Sequence, residues 1–459
     1  MSITLARRSL LAAAALALAG CAAAPGLVPA PVPVVFVHGN GDSAALWQTT
    51  LWRFESNGWP SNRLYAIDLP YPLARDNDDY AQDGRTSTTQ HMEFLRAEVE
   101  KVRRATGAPK VVLIGNSRGG NAIRNYIANG GGDKFVSHAI LGGTPNHGVW
   151  QSVGFGPKSE FNGLAPFLKA LNNQGAPGVE ITPGPAWMTV RSDANDKFAQ
   201  PDLAGIGMRG TPSNVGVDSP ELKGAKNVVI PGIDHRETSY GPQAFAAAWE
   251  FLTGKPPTTT GFVNEEKVVL DGKVSGLGLD NDPARGAFAT NLPLAGATVE
   301  VWAVDPATGA RRGSAPLQRR VTEANGRWGP VVTDPRTPLE FVVAAPGYAT
   351  LHVYRAAFPR SSEIVHLRAA RLGDADKDAK AVVEFRRPRG YFGLPRDQIR
   401  LDGVSPPAGI PPGVATVAET RLRLADATPR PIVGEFNGER VVGRVWPAAE
   451  GHLVQLELH

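Results

Sequence analysis

The chain has 459 residues, of which 42% are hydrophobic and 20% charged, and its formal net charge is +4. This length suits two or three domains with ordinary apolar cores. A charge this small, with no concentrated basic stretch, predicts no nucleic-acid partner. The nine histidines are scattered and there is one cysteine, so the sequence predicts neither a metal site nor a disulfide.

The N-terminus predicts export from the cytoplasm. Arg7 and Arg8 form a positively charged segment, and an alanine-rich apolar run follows from Leu10 to Ala19. That run has the length found in signal peptides and is too short for a permanent membrane-spanning helix. The arginine pair resembles a twin-arginine signal, which would direct export after folding.

The end of this segment resembles a bacterial lipobox, in which Cys21 is lipidated and becomes the mature N-terminus. We therefore expect an export signal at 1–21, a tether at 22–32 and membrane attachment through Cys21. The alternative is a plain signal, cleaved among the alanines at 22–24. The expected location is the periplasm or the outer membrane, or the medium if the protein is secreted.

The next two elements are a strand and a nucleophile elbow. The β-branched run Pro33–Val37 predicts a core strand, and so does Lys110–Ile114 before the motif Gly115–Gly119, whose central residue is Ser117. A helix is predicted directly afterwards. Strand, sharp turn and helix are the context of a G-x-S-x-G elbow, where flanking glycines relieve the strained serine. Ser117 is the predicted nucleophile; an idle serine in a glycine-rich turn is the alternative.

A nucleophilic serine needs an acid and a base, which follow it in that order in folds with this elbow. A strand over Lys226–Ile230 is followed by His235, the predicted base. A strand over Trp187–Ser192 is followed by Asp193 and Asp196. Spacing alone does not choose between these two carboxylates.

The segment 33–254 resembles the small bacterial lipases and esterases of the α/β-hydrolase superfamily. The matching pieces are Val35–Gly39, Leu64–Asp68, the elbow and Leu222–His235. The resemblance implies an α/β fold, with a mostly parallel sheet flanked by helices and an all-β region after it. It also places Asp196 in the acid position of the loop that runs to Pro201.

The same resemblance implies acyl transfer through Ser117, His235 and Asp196, with no cofactor and no metal. Two backbone N–H groups, those of Asn40 and Arg118, would form the oxyanion hole. Lipases usually carry methionine where Arg118 stands. That side chain is expected either to pair with a protein carboxylate or to select anionic acyl groups.

An insertion before the acid strand carries apolar residues with helical spacing, at Leu164, Phe167, Leu168 and Leu171. This helix is predicted either to pack on the core or to form a lid over Ser117.

The C-terminal half is predicted to be all β. A polar linker is expected at 255–260, a β-sandwich module at 261–370 that resembles prealbumin-like domains, and a second β-rich module at 371–459. The run Asp374–Asp378 lacks the glycine and glutamate of a calcium loop and is interpreted as a solvated linker. The cationic run Arg386–Phe392 is interpreted as an exposed strand end.

The sequence thus predicts an exported serine hydrolase that cleaves a carboxylic ester of lipid or polyester type. An extracellular polyester depolymerase, with the β region as a binding module, is the second enzymatic possibility. A surface-binding lipoprotein with a vestigial hydrolase domain is the non-enzymatic one.

Overall fold

The computed structural model describes residues 31–203 and 208–459. The signal, the lipobox and Cys21 therefore lie outside the described residues. The described part of the N-terminal half has ten strands, β1 (Val34–Val37), β2 (Leu64–Ile67), β3 (Leu73–Ala74), β4 (Arg85–Thr86), β5 (Val111–Asn116), β6 (Val136–Gly142), β7 (Ala186–Ser192), β8 (Asp202–Leu203), β9 (Met208–Pro212) and β10 (Lys226–Ile230). Its helices are α1 (Gln48–Ser56), α2 (Thr88–Thr106), α3 (Arg118–Asn129), α4 (Pro166–Leu171), α5 (Glu237–Tyr240) and α6 (Pro242–Thr253).

Six of these strands form one parallel sheet in the order β10-β7-β6-β5-β1-β2. Its central strands are mostly apolar because helices cover both faces. Phe36 and Ile114 pack with Phe245 of α6 on one face, whereas Val35 and Leu113 pack with α2 and α3 on the other. The parallel sheet confirms the predicted fold class.

Local signals fix the longest helix. Ser87 caps α2 by accepting a hydrogen bond from the Gln90 N–H, and the Gln90 side chain accepts one from the Ser87 N–H in return. Gly107 ends the helix in the left-handed conformation, at φ 65°. Leu95, Val99 and Val102 recur on the buried face of α2 and hold it on the sheet.

The C-terminal half contains strands only, apart from short 3-10 turns. They are β11 (Val268–Leu270), β12 (Val274–Leu277), β13 (Ala289–Pro293), β14 (Thr298–Ala303), β15 (Gln318–Val321), β16 (Val331–Thr333), β17 (Leu339–Ala344), β18 (Thr350–Arg355), β19 (Leu367–Arg368), β20 (Ala381–Arg386), β21 (Ile399–Leu401), β22 (Glu419–Leu424), β23 (Pro431–Phe436), β24 (Glu439–Arg444) and β25 (His452–Glu457).

The main sheet of this half crosses the boundary predicted at 370/371. Its seven strands run in the order β15-β14-β17-β18-β25-β20-β22. The last strand, β25, inserts between β18 and β20 and is parallel to both. The two predicted β modules therefore share one sheet, because a strand near the C-terminus returns to pair with strands from each of them.

The predicted linker at 255–260 is held against α1. The Asn57 side chain donates to the Thr259 carbonyl and accepts from the Thr259 N–H, and Arg53 Nε donates to the Thr260 carbonyl. Trp52 of α1 is buried in the core of the β region, where its ring lies against Phe262 and Phe358. Residues 32–459 accordingly form one compact unit. Among the described residues, no helix is both long and apolar enough to cross a membrane.

Candidate active site

Ser117 occupies a sharp turn between β5 and α3. Its backbone has φ 53° and ψ −124°, a strained conformation for a residue with a side chain. A Cβ atom on Gly115 would lie 2.7 Å from Ile123 Cδ1, and one on Gly119 would collide with the Val37 carbonyl. The two glycines are therefore needed for the turn, which presents Ser117 at the carboxyl edge of the sheet.

His235 and Asp196 meet at the same edge. His235 follows β10, Asp196 follows β7, and His235 Nδ1 lies 2.9 Å from each Asp196 carboxylate oxygen. Both side chains are buried, at 3% exposure each. Asp193 is exposed and accepts hydrogen bonds from the N–H groups of Gly232 and Ala194 instead. Of the two carboxylates that spacing left open, Asp196 is the one in contact with the histidine.

A cavity of about 360 Å³ opens beside these residues, and Ser117 and His235 both line it. Most of its remaining wall is apolar or aromatic: Val149, Trp150, Phe155, Phe161, Phe198 and Tyr391. The Phe198 ring packs edge-on against His235, with centroids 4.6 Å apart. The cavity has the size and lining of a site for a small, largely apolar group.

Two backbone N–H groups are available near Ser117. Arg118 is the first residue of α3, so its N–H has no partner within the helix. Asn40 lines the cavity on the loop after β1, and its side-chain carbonyl accepts a hydrogen bond from the Ala74 N–H at 2.7 Å. That bond fixes the loop without using the Asn40 N–H.

Hydrogen bonds of the His38 side chain stabilise the loop after β1. The buried imidazole accepts the Leu69 N–H at Nε2, which leaves Nδ1 to donate to the Gly39 carbonyl. Burial lowers the pKa of His38 and so favours the neutral ring that this arrangement requires. A second support is Asp42, which pairs with Arg236, the neighbour of His235, at 2.6 Å.

The Arg118 side chain is directed away from the cavity. It is fully buried, and its Nε lies 2.8 Å from Glu160 Oε1. The two terminal nitrogens donate to the carbonyls of Pro72 and Thr86. Burial raises the pKa of the Glu160 carboxyl despite the adjacent guanidinium. Of the two predicted roles, the geometry matches pairing with a protein carboxylate.

The insertion contributes to the cavity differently from the prediction. Its helix, α4, is shorter than predicted and lies beside α3, with Leu168 and Leu171 buried. None of the residues 164–171 lines the cavity; the insertion contributes instead Val149, Trp150, Phe155 and Phe161 to its wall. The apolar spacing therefore marked a helix packed on the core.

Sequence reasoning missed the part of the site that comes from the C-terminal half. Arg387 and Arg389, interpreted as part of an exposed strand end, are 9% and 7% exposed. Tyr391 lines the cavity, and its N–H donates to Asp234, the residue before His235, at 2.7 Å. The alternation of cations and aromatics was visible in the sequence, but Asp234 and Glu237, the acidic partners of Arg387, lie about 150 residues away.

Asp234 and Glu237 form a largely buried charged cluster with Arg387 and Arg396 next to His235. Arg387 contacts Asp234 at 2.7 Å and also pairs with Glu237, and Arg396 lies 2.8 Å from Glu237. Burial opposes ionisation of Asp234, but Arg387, the Tyr391 N–H and Arg396 together lower the pKa of its carboxyl. The C-terminal half thus holds the loop that carries His235.

Among the described residues, no group of three or more metal-ligating side chains is placed to hold a metal ion. Asp376, from the run first compared with a calcium loop, is buried and pairs with Arg421 and Arg423.

Comparison with known proteins matches both halves to lipases. Residues 31–156 match the family model "Lipase (class 2)", and residues 266–372 match "Lipase C-terminal domain". Each of these two lipase models covers about a quarter of the chain. This result confirms the resemblance drawn from the sequence, including a lipase-type β region after the catalytic fold.

The individual proteins that match this chain have low sequence identity to it. A non-heme haloperoxidase of Rhodococcus erythropolis is 24% identical over 114 residues, which are 25% of this chain and 37% of that protein. The chain thus matches little more than a third of the length of that curated relative. Aspergillus fumigatus lipase B is 16% identical over 51% of this chain and 55% of its own, with a TM-score of 0.36. Bacillus licheniformis lipase BlEst2 in its propeptide form is 14% identical over 91% of this chain and 93% of its own, with a TM-score of 0.36.

Proposed function

We propose that this protein is an exported serine hydrolase that cleaves carboxylic esters through Ser117, His235 and Asp196. The observation that carries the proposal is the contact of His235 with the buried Asp196, because His235 lines the same cavity as Ser117. A buried carboxylate on Nδ1 fixes the ring orientation and leaves Nε2 to exchange a proton with the serine hydroxyl.

In the proposed reaction, His235 takes the Ser117 proton as Ser117 Oγ attacks the ester carbonyl. The N–H groups of Asn40 and Arg118 stabilise the oxyanion, and Asp196 stabilises the imidazolium. His235 then protonates the leaving alcohol. Water, activated by the same ring, attacks the acyl-enzyme and releases the acid.

The cavity supports an apolar acyl group of modest size as substrate. Its aromatic wall offers no described cation to an anionic acyl chain, apart from Arg236, which pairs with Asp42. A polyester is accommodated by the same chemistry if a chain segment reaches the cavity, so a depolymerase remains the second candidate. Lipid attachment through Cys21 would keep the enzyme at a membrane surface.

A series of p-nitrophenyl esters from acetate to palmitate tests the proposal. We expect the highest kcat/KM on short or medium chains, because a cavity of about 360 Å³ is filled by few methylenes. Asp196→Asn should lower kcat by about 10⁴-fold, as expected for loss of the residue that fixes a catalytic histidine.

Asp193→Asn is the matched control, since it makes the same change three residues away on an exposed side chain. It should leave kcat within about twofold of the unmodified enzyme. If Asp193→Asn were the damaging change, the acid assignment would be wrong. Absence of turnover on every ester would favour the vestigial lipoprotein.

A further inference from the structure

A second cavity, separate from the active site, lies between the catalytic fold and the β region. Its volume is about 90 Å³, and it shares no lining residue with the cavity at Ser117. Ser43, Ala45 and Leu46 form its wall on the catalytic side. The opposite wall comes from β-region residues.

This second cavity is strongly cationic. Its lining includes five residues with permanent positive charge: Lys273, Arg355, Arg368, Arg386 and Arg389. Among the described residues that line it, Glu457 alone carries a carboxylate. Buried cations are normally paired, since an unpaired charge away from water is costly.

Three of the five cations have a carboxylate in contact. Lys273 lies 2.8 Å from Asp68, Arg386 lies 3.2 Å from Glu419, and Arg355 lies 3.5 Å from Glu457.

The other two cations contact only neutral oxygens. Arg389 donates to the carbonyls of Leu458 and Ala45 and to the Gln48 side chain. Arg368 donates to the Asn291 side chain at 2.8 Å and to the Thr290 carbonyl at 3.5 Å. Neither guanidinium has a carboxylate partner among the described residues.

Unused donors remain at the same place. The Nε atoms of Arg355, Arg368 and Arg389 are buried and have no hydrogen-bond partner among the described residues. Burial lowers the pKa of Arg389 to about 9 and that of Arg368 to about 10, because desolvation outweighs the attraction of the more distant carboxylates. Burial, with Arg355 and Arg389 beside it, lowers the pKa of the neighbouring His459 well below its ordinary value, so the imidazole stays neutral.

We propose that this cavity is a binding site for one small oxyanion, of the phosphate or carboxylate class, held by Arg355, Arg368 and Arg389. Guanidinium groups match the paired oxygens of such anions, and the volume accommodates a single small ion. The anion would join the two halves beside the loop that carries Asn40, because Arg389 already bonds to the Ala45 carbonyl. The role of the anion is structural, because this cavity shares no lining residue with the cavity at Ser117.

Thermal unfolding of the full-length protein in a zwitterionic buffer tests this site, with sodium phosphate, acetate or chloride added at equal ionic strength. We expect phosphate or acetate to raise Tm in a saturable way, by about 3 °C at 100 times Kd for a chain of this length. Whether phosphate or acetate binds more tightly identifies the source of the oxyanion. Equal shifts with chloride would reflect general screening or a halide site and would overturn the proposal.

Arg368→Gln and Arg389→Gln should each weaken phosphate or acetate binding at least 10-fold. Arg430→Gln is the matched control, because Arg430 is a half-exposed β-region arginine paired with Asp402. It should bind the anion as the unmodified protein does. Unchanged binding in both cavity variants would place the anion elsewhere and refute the site.

If neither cavity variant folds, calorimetric titration of the unmodified protein decides. One anion bound per chain supports the site, and no saturable heat with phosphate or acetate contradicts it. Neither outcome depends on ester hydrolysis, so failure of this site and failure of the proposed catalytic function are distinguishable.

Discussion

The contact between Arg387 and Asp234 links the C-terminal half to His235, the proposed catalytic base, and Arg387→Met should damage both stability and activity. Asp234 is fully buried and lies next to His235 in the chain. Removing one partner of a buried ion pair costs about 3–5 kcal/mol. Because Arg396 still faces Asp234 and Glu237, we expect the lower end of that range, about 3 kcal/mol.

For a chain of this length, that loss corresponds to a Tm about 3 °C lower. Displacement of the His235 loop by about 1 Å would lower kcat on p-nitrophenyl acetate by about 10- to 100-fold. The control is Arg430→Met, which breaks a half-exposed pair with Asp402 and should cost no more than about 1 kcal/mol.

The loss of stability in Arg387→Met depends on pH, and the pKa of Asp234 gives the sign of that dependence. The folded-state pKa of Asp234 is lowered, so its stabilising contribution is complete above its unfolded pKa of about 3.9 and is lost as pH falls through the folded value. The deficit of Arg387→Met should therefore be full at pH 7 and shrink below about pH 4. Scanning calorimetry across this range measures it. Equal deficits for Arg387→Met and Arg430→Met would refute the reasoning.

Three further substitutions probe other contacts. Arg118→Met leaves Glu160 buried without its partner, so turnover of anionic and neutral short esters should fall by the same factor; a selective loss on anionic esters would show that Arg118 contacts substrate. Tyr391→Ala removes part of the cavity wall and should therefore shift the optimum of the p-nitrophenyl series toward longer acyl chains. Tyr391→Phe is the control and should leave that optimum unchanged. If Tyr391→Ala also left the optimum unchanged, Tyr391 would not border the bound acyl chain. Burial lowers the pKa of Lys197 to about 8. Between about pH 8 and 10.4 the unfolded chain therefore binds more protons than the folded protein, and the free energy of unfolding should rise with pH. Lys197→Met should flatten that rise in calorimetric scans, and an unchanged slope would contradict the reasoning.

The fold of the N-terminal half was predictable because its signals are local. The elbow glycines, the β-branched strands and the residues that follow each strand lie within a few positions of one another, and parallel topology brings the strand ends together. Even the choice of Asp196 over Asp193 came from the resemblance of a nine-residue loop. The structure adds the geometry behind that choice, the 2.9 Å contact with His235.

The contribution of the C-terminal half was not predictable in the same way. Burial of Arg387 depends on Asp234 and Glu237, and burial of Asp376 depends on Arg421 and Arg423. Charged residues are normally assigned to the surface when their partners are far away in sequence. The shared sheet has the same cause, because the pairing of β18 with β25 spans about a hundred residues and leaves no periodic signal at the boundary.

Labelling with a fluorophosphonate, followed by peptide mass spectrometry, tests the central claim most directly. The reagent reacts with a serine only when a base and an oxyanion hole activate it. We expect one adduct per chain, on Ser117, with ester hydrolysis lost in proportion to labelling and no adduct in Ser117→Ala. An adduct on another residue, or full hydrolysis after complete labelling of Ser117, would contradict the account.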